Sequence, residues 1–403
     1  MRVLQINCVY GKGSTGQIVR SLHRALPADG FESFVLYGRG DPPTEPDTSR
    51  VCGDVYGKLN GLRARLTGLP YGGCGLSTRK VIRAIRKTAP DVVHLHCING
   101  HFVNIYRLVG WLKEHRIPTV LTLHAEFMYT GGCSYAFDCE GWRTGCGHCP
   151  NLRRATKSGF LDRTGEGFSR MKAAFDGFGK LRVVSVSPWL QERAAASPCL
   201  QAAEHMVILN GVETDAFHPS DTTDLHRSLG VGGRRVVFHA TAVFRDTPGD
   251  RKGGAYVLEL ARRMKSEPIL FVVAGRYELT GEVPDNVILL GEVRDPTKLA
   301  GYYSLADVTL LTSLRETYSM ICAESLCCGT PVVGFRAGAP ERISLPAYSC
   351  FVEQGDIDAL ESAVRAWLPR KTREAGELAR DAAAAYDKMT MIRRYEEVYR
   401  SLL

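Results

Sequence analysis

Glu316 and Glu324 are two carboxylates, eight positions apart, that follow a predicted strand. The apolar run over residues 307–312 predicts this strand, and a helix is expected from about Ser319 because a Gly-Thr-Pro segment supplies its stop. Glu316 then falls on the loop at the carboxyl edge of a sheet, and Glu324 falls within the helix. Ligands of open α/β sheets bind at that edge, so the pair indicates a binding site.

The start of the same helix offers a place for an anion. The backbone N–H groups of Ser319 and Met320 lie at the positive helix end, where a diphosphate could be received. A carboxylate on either side could bind hydroxyl-rich groups, since an ionised Glu accepts two or more hydrogen bonds. The alternative is one capping glutamate and one solvated glutamate.

The N-terminal segment Gly11–Gly16 fits the pattern G-x-G-x-x-G after a strand and before a helix. A dinucleotide-binding fold also needs a carboxylate about 20 residues on, at the end of the second strand. That strand ends at Arg39 without one, which disfavours NAD and leaves NADP open. Two interpretations remain, an anion contact through backbone N–H groups and a tight turn without a ligand.

Four cysteines lie close together in the spacing C-x5-C-x6-C-x2-C: Cys133, Cys139, Cys146 and Cys149. Four thiolates suffice for a tetrahedral structural zinc ion, which makes them a candidate zinc site. Disulfides and unligated thiols that shape a loop are the alternatives. A catalytic zinc is not expected, because four protein ligands leave no open position.

Residues 58–87 form a basic stretch in which leucines interleave with eight Lys and Arg residues. One interpretation is a peripheral contact with an anionic membrane surface, which would suit a lipid-linked partner. The other is a solvated helix face. No recognition motif accompanies the charge, so we expect no nucleic-acid partner.

The elements that must position these residues alternate between strand and helix. Twelve short apolar runs, mostly unbroken Val, Ile and Leu, are typical of strands buried in parallel sheets. Helix-length segments separate them, which predicts an α/β protein. The expected strands are Val3–Asn7, Ser33–Tyr37, Asp91–His96, Thr119–His124, Val183–Ser187, Met206–Leu209, Val236–Thr241, Ile269–Ala274, Val287–Gly291, Asp307–Thr312, Pro331–Phe335 and Cys350–Val352.

Twelve strands are many for one open sheet, so two Rossmann-like domains are expected. We predict a first domain over 1–209 with a Cys-rich insertion near 130–150, a turn-rich linker over 210–220, and a second domain over 221–385. The last helix, 386–403, is expected to pack back on the first domain.

Composition agrees with a globular chain, since 44% of the 403 residues are apolar and 23% are charged. This excludes disordered, collagen-like and coiled-coil classes. The net charge of +8 permits an anionic partner. No apolar run reaches the about 20 residues of a membrane span, and the odd count of 13 cysteines favours a reducing compartment. We therefore expect a cytoplasmic protein, at most peripheral on the inner face of the membrane.

The sequence resembles family 4 glycosyltransferases of the GT-B fold, with parallel sheets facing a central cleft. The motifs behind this resemblance cover nearly the whole chain: E-x7-E followed by CGTPVVG, NGVE at 210–213, FHP at 217–219, RKG at 251–253, YSLAD at 303–307 and GAPE at 338–341. The segments HLH at 94–96 and HAEFMYTGGC at 124–133 resemble the bacterial exopolysaccharide and capsule branch.

The resemblance implies roles for the residues of the second half. Glu324 would hold the ribose hydroxyls of a UDP- or GDP-sugar, and Glu316 would contact hydroxyls of the transferred sugar. Lys252 and an upstream arginine would neutralise the diphosphate leaving group. Arg245 is the expected arginine although its spacing departs from the family, and Arg251 is its competitor.

In the first half, the resemblance implies that His124 faces the reacting side of the sugar and that the loop from Gly13 to Gly16 closes over the phosphates. The acidic residue that often follows this histidine is replaced by Ala125. His94 and His96 are expected to point in opposite directions from a strand end, one of them as a packed core residue.

These roles predict a metal-independent, retaining transfer to a saccharide or polyprenyl-linked acceptor. The single Asp-x-Asp segment, Asp356-Ile357-Asp358, opens a helix, so Asp356 is expected to be an N-cap and not a metal ligand. The alternatives are an NADP-dependent oxidoreductase and a non-catalytic protein that binds sugar nucleotides.

Overall fold

The structure, a computed structural model, describes residues 1–42, 44–158 and 160–403, and only the backbone of residues 371–374. The chain forms two compact units. The first contains Met1–Leu209 and Met391–Leu403, and the second contains Asn210–Thr390.

The first unit is built on a seven-stranded parallel sheet with the order β3-β2-β1-β4-β5-β6-β7. The strands are β1 (Arg2–Asn7), β2 (Glu32–Tyr37), β3 (Thr48–Arg50), β4 (Val92–Leu95), β5 (Thr119–Leu123), β6 (Leu181–Ser185) and β7 (Glu204–Val207). Every pair is parallel, and β1 aligns Val3 with Ser33 on one side and with Val92 on the other. The central strands are buried, as their unbroken apolar runs predict.

Helices connect these strands: α1 (Gly13–Ala25), α2 (Asp54–Thr67), α3 (Gly75–Thr88), α4 (Ile105–Glu114), α5 (Leu152–Thr156), α6 (Thr164–Phe175) and α7 (Pro188–Ala196). Short 3-10 turns cover Leu26–Asp29, Glu126–Met128 and Gly141–Arg143. The core joins β1, β4 and β5 to helix α1 and to five side chains from the end of the chain: Met391, Ile392, Tyr395, Val398 and Tyr399.

The second unit is built on a six-stranded parallel sheet with the order β10-β9-β8-β11-β12-β13. The strands are β8 (Arg235–Arg245), β9 (Ile269–Glu278), β10 (Val287–Gly291), β11 (Val308–Leu311), β12 (Val332–Phe335) and β13 (Ser349–Val352).

The helices of the second unit are α8 (Thr223–Ser228), α9 (Gly254–Arg263), α10 (Pro296–Leu305), α11 (Met320–Cys327), α12 (Pro340–Ile343), α13 (Ile357–Trp367) and α14 (Lys371–Tyr386), with a 3-10 turn at Pro346–Tyr348. The last helix is α15 (Lys388–Ser401), and its residues from Met391 onward belong to the first unit. Helices α9 and α13 pack on one face of the second sheet. Among the described residues, no helix is long and apolar enough to cross a membrane.

The predicted fold class is confirmed: the protein is α/β, with two parallel sheets. Each of the twelve expected strands has a counterpart, shifted by two residues at β6 and at β7. Strand β3 was not predicted, because three residues of the sequence Thr-Ser-Arg carry no apolar pattern. The side chain of Asp356 accepts a hydrogen bond from Ala359 N (2.9 Å), so its predicted role as an N-cap is confirmed.

Candidate active site

Glu316 lies on the loop after β11, and two backbone hydrogen bonds hold it in place. Its N–H donates to Ala337 O (2.9 Å), and its carbonyl accepts from Ala339 N (3.2 Å). The Glu341 carboxylate braces the same segment by accepting from Ala337 N (3.1 Å) and Gly338 N (2.9 Å). The Glu316 side chain is therefore positioned by backbone contacts at the carboxyl edge of the sheet.

Two cations meet this carboxylate. Lys252 Nζ lies 2.5 Å from Glu316 Oε1, and Arg251 Nη1 lies 3.4 Å from the same oxygen. Burial opposes the charge on Glu316, but Lys252 and Arg251 outweigh it and hold the pKa of Glu316 below its ordinary value. These two cations lie at the carboxyl edge of the sheet, where positive charge favours an anionic ligand.

A tight turn brings Lys252 to this place. Gly253 has a φ of 69°, and a Cβ there would lie 2.0 Å from Thr312 O. Thr312 Oγ1 donates to Lys252 O (3.0 Å), and Leu314 N donates to Arg251 O (2.8 Å). The turn before α9 is thus tied to the loop that carries Glu316.

Arg245, the other predicted arginine, ends strand β8 and pairs with different carboxylates. Its Nε lies 2.8 Å from Glu278, and its Nη1 lies 3.7 Å from Asp250. Among the described residues, no contact joins it to Glu316. The structure therefore brings Arg251, and not Arg245, into the group of charges around Glu316.

A cavity of about 440 Å³ opens beside helix α11. Its walls are formed by Ala240, Thr241, Ala242, Ala274, Gly275, Arg276, Glu292, Val293, Arg294, Leu299, Tyr303, Ile321 and Glu324. Gly275 allows the backbone of this wall to pass close to Thr241, because a Cβ there would lie 2.1 Å from Thr241 O. The cavity is large enough for a nucleoside, since small-ligand pockets span about 300–1,000 Å³.

Glu324 is one of the two carboxylates that line this cavity, and Glu292 is the other. Burial raises the pKa of Glu324 to about 7, and the hydroxyl of Tyr303, which donates to Glu324 Oε2 (3.2 Å), acts in the opposite direction. The sequence motif YSLAD contains Tyr303, but no sequence pattern could assign it this contact. Arg276 and Arg294 were also missed, because surface arginines carry no periodic signal.

Helix α11 begins as expected, with Ser319 as its N-cap. The Ser319 hydroxyl accepts from Cys322 N (3.2 Å), and the residue has an unusual φ of 117°. In the part of the chain that the structure describes, the backbone N–H groups of Ser319 and Met320 donate no hydrogen bond. They are therefore available to an anion at the helix N-terminus.

His124 lies in the first unit, directly after β5, and belongs to a buried group of three histidines. Its Nε2 lies 3.2 Å from His96 Nδ1, while His94 is bound on both ring nitrogens, by Tyr399 Oη and Thr122 Oγ1 (2.7 Å each). Burial lowers the pKa of His124 to about 4, so the ring is neutral at pH 7.

The predicted opposite orientation of His94 and His96 is wrong. Their ring centroids lie 3.8 Å apart, because residues two positions apart on a strand point to the same face. His94 is fully buried, as a core histidine is.

Glu126, which follows His124 by two positions, has a structural role. It is fully buried and accepts hydrogen bonds from Arg193 Nε (2.8 Å), Tyr129 Oη (2.9 Å) and Ala136 N (2.6 Å). Its carboxylate holds the Cys-rich segment and does not replace the missing acidic residue at Ala125.

The glycine loop Gly11–Gly16 joins β1 to α1 in the first unit. Gly11 and Gly13 have φ values of 65° and 63°, and Gly11 N donates to Gly16 O (3.0 Å). Lys12 precedes α1, which has no side-chain cap, so its first N–H groups carry the positive end of the helix.

The predicted zinc site is not supported. Within the described residues, no group of three or more His, Cys, Asp and Glu side chains could hold a metal ion. The four cysteines instead line a small cavity beside the buried Trp142, and all are free thiols. Burial raises the pKa of Cys133 to about 12 and of Cys146 to about 11, which keeps both thiols protonated at pH 7.

Comparisons with known proteins place the chain in a family. The model "Glycosyltransferase Family 4" matches residues 15–216, half of the chain, and the model "Glycosyl transferases group 1" matches residues 235–369. The chain belongs to glycosyltransferase family 4. WcaC of Escherichia coli strain K12, named for colanic acid biosynthesis as a glycosyl transferase, is 23% identical over 100% of both chains.

A D-inositol 3-phosphate glycosyltransferase of Geodermatophilus obscurus is 30% identical to this family 4 glycosyltransferase over 44% of its chain and 43% of the relative. Among solved structures, sucrose-phosphate synthase of Thermosynechococcus elongatus superposes with a TM-score of 0.71 at 19% identity, covering 100% and 99% of the two chains. HepE of Anabaena in complex with UDP gives 0.69 at 15% identity and covers 100% of both. These structures establish the GT-B fold.

Proposed function

We propose that this glycosyltransferase moves a hexosyl group from a UDP- or GDP-sugar to a saccharide or polyprenyl-linked acceptor, with retained anomeric configuration and without a divalent metal. The first domain would bind the acceptor and the second the donor. The reaction would take place in the cytoplasm, in the synthesis of a cell-surface polysaccharide. Similarity to WcaC and to HepE supports this class of substrates. Solved structures of HepE contain UDP or UDP-glucose.

The observation that carries the proposal is the charge group of Lys252, Arg251 and Glu316 in the unit that also holds the Glu324 cavity. Departure of a diphosphate builds negative charge. Lys252, Arg251 and the backbone N–H groups of Ser319 and Met320 would stabilise that charge, as fixed donors do in a preorganised site. Arg245 would join them only if it released Glu278.

The carboxylates would position the donor. Glu324 would accept hydrogen bonds from the ribose hydroxyls within the cavity, and Glu316 would accept from hydroxyls of the transferred sugar. His124 would face the reacting carbon, and the loop with Gly13 and Gly16 would cover the phosphates. In the transfer step, the bond between the anomeric carbon and the phosphate oxygen breaks. The acceptor oxygen bonds to the same face of that carbon and gives its proton to a phosphate oxygen.

Released nucleoside diphosphate provides the test. UDP-, GDP- and ADP-sugars are screened with saccharide acceptors, and Lys252→Ala and Glu316→Ala are compared with the wild type. We expect a loss of about two decades or more in turnover for each variant, because lost charge stabilisation has that cost. Arg336→Ala, which breaks the exposed pair between Arg336 and Glu353 (2.9 Å), is the matched control. Near-wild-type turnover of both site variants would contradict the site.

Three further measurements separate the alternatives. NMR of the product reports the anomeric configuration, and activity in excess EDTA reports the metal requirement. Stabilisation by sugar nucleotides without turnover would favour a binding protein. Stabilisation by NADPH instead would favour an oxidoreductase that uses the glycine loop.

A further inference from the structure

Helix α2 turns its large apolar side chains outward. Val55, Leu59, Leu62 and Leu66 are 73%, 60%, 53% and 68% exposed. Their spacing of four, three and four residues places them on one face of the helix. A surface helix normally turns such a stripe toward the core, so this orientation needs an explanation.

The inward face of α2 shows why the helix cannot rotate about its axis to bury the leucines. It carries the small or polar residues Gly57, Asn60 and Ala64, all buried. Asn60 Oδ1 accepts from Cys74 N (2.8 Å), and Asn60 Nδ2 donates to Tyr56 O (2.8 Å). These buried hydrogen bonds fix the rotation of the helix, and they keep the leucines in contact with solvent.

Two more apolar side chains extend the stripe at the end of the helix. The carbonyl of Leu161 lies so close to Gly68 that a Cβ on this glycine would approach it to 2.3 Å. Phe160 and Leu161 are 97% and 49% exposed. We call the leucine face the set of Val55, Leu59, Leu62, Leu66, Phe160 and Leu161.

Cations border the leucine face. At 100° per residue, Lys58 and Arg65 lie on one side of the stripe and Arg63 on the other. Elsewhere in this basic stretch, helix α3 carries exposed Lys and Arg residues at positions 79, 80, 83, 86 and 87. Asp54 is the single acidic residue of the two helices, and it pairs with Arg50 (3.9 Å).

We propose that the leucine face docks on an anionic lipid bilayer. Exposed aliphatic and aromatic side chains would enter the boundary between headgroups and acyl chains, and the flanking cations would meet lipid phosphates. A second copy of the chain fits less well, because a two-fold contact through this face would place the same cations opposite each other. The proposal does not depend on the proposed function.

Vesicle flotation tests the docking. Wild-type protein is mixed, without sugar nucleotide, with phosphatidylcholine vesicles that contain or lack phosphatidylglycerol. The apolar variant is Leu59→Ser/Leu62→Ser/Leu66→Ser, and its control is Met389→Ser/Leu403→Ser at exposed positions elsewhere. The charge variant is Lys58→Gln/Arg63→Gln/Arg65→Gln, and its control is Arg107→Gln/Lys180→Gln/Lys298→Gln.

We expect the wild type and both controls to float with the anionic vesicles at low salt, and each face variant to bind at least about tenfold more weakly. Circular dichroism checks that the variants are folded. If the serine variant does not fold, the charge variant still tests the proposal. No flotation of the wild type, equal flotation of the face variants, or equal binding to neutral vesicles would overturn the proposal. The proposal would also be overturned if light scattering showed a dimer of the wild type and a monomer of the serine variant, and neither protein bound vesicles. Nucleoside diphosphate release, measured without vesicles, tests the proposed transfer independently of membrane docking.

Discussion

At the scale of single residues, the fold moves the pKa of Glu324 into the physiological range. Its raised pKa of about 7 comes from burial in the wall of the cavity beside α11. Glu316 behaves in the opposite way, because Lys252 and Arg251 keep it charged. The two carboxylates of one motif therefore differ in charge state near neutral pH, and the difference comes from their neighbours.

This difference predicts a pH dependence of stability. The folded pKa of Glu324 lies above its unfolded value, so its contribution to stability is present at low pH and is lost as pH rises through about 7. The free energy of unfolding of Glu324→Gln, relative to that of the wild type, should therefore increase by about 1–3 kcal/mol as the pH rises from about 5 to about 8. Thermal unfolding across this pH range measures the gain.

Tyr303→Phe serves as the companion variant, because it removes the hydroxyl that lowers the pKa of Glu324. The loss of stability with rising pH should therefore extend to higher pH in this variant than in the wild type. If the difference in unfolding free energy between Glu324→Gln and the wild type did not change with pH, the assigned pKa would be contradicted.

At the scale of elements, the turn between β8 and α9 decides where Lys252 lies. Gly253→Ala should destabilise the second unit by about 2–4 kcal/mol, because the Cβ would collide with Thr312 O (2.0 Å) in a backbone region that side chains disfavour. Nucleoside diphosphate release should fall as well, since the turn positions Lys252. Urea unfolding and the release assay measure the two effects.

Gly249→Ala is the matched control in the same segment. Gly249 has a φ of 77°, but a Cβ there would have no atom within 4 Å. Only the backbone cost of about 1–2 kcal/mol is expected, with little change in release. If both variants behaved alike, the contact with Thr312 would not be the reason for the glycine.

At the scale of the whole molecule, the end of the chain completes the core of the first unit. Helix α15 contributes buried Met391, Ile392, Tyr395, Val398 and Tyr399 to it. Tyr395→Ala should cost about 3–5 kcal/mol, because it leaves a cavity in a packed core. Limited proteolysis should then find new cleavage sites within residues 1–209.

Met389→Ala in the same helix is the control, since Met389 is 43% exposed and should have little effect. Cleavage confined to residues 210–390 in Tyr395→Ala would show that the helix stabilises the second unit instead.

The sequence determined the fold class and most strand positions, because buried parallel strands are continuous apolar runs that can be read locally. It also indicated Glu316, Glu324 and the start of α11, since strand, loop and helix follow each other directly there. It could not find β3, whose three residues have no pattern.

Only the tertiary structure decided which distant residues meet. Arg251 and not Arg245 reaches Glu316, Tyr303 donates to Glu324, and His96 contacts His124. It also showed no metal site at the four cysteines among the residues that it describes, and it showed that the leucines of α2 face outward. Local spacing cannot decide these points, because a side chain's partner and its exposure depend on elements that are far apart in the chain.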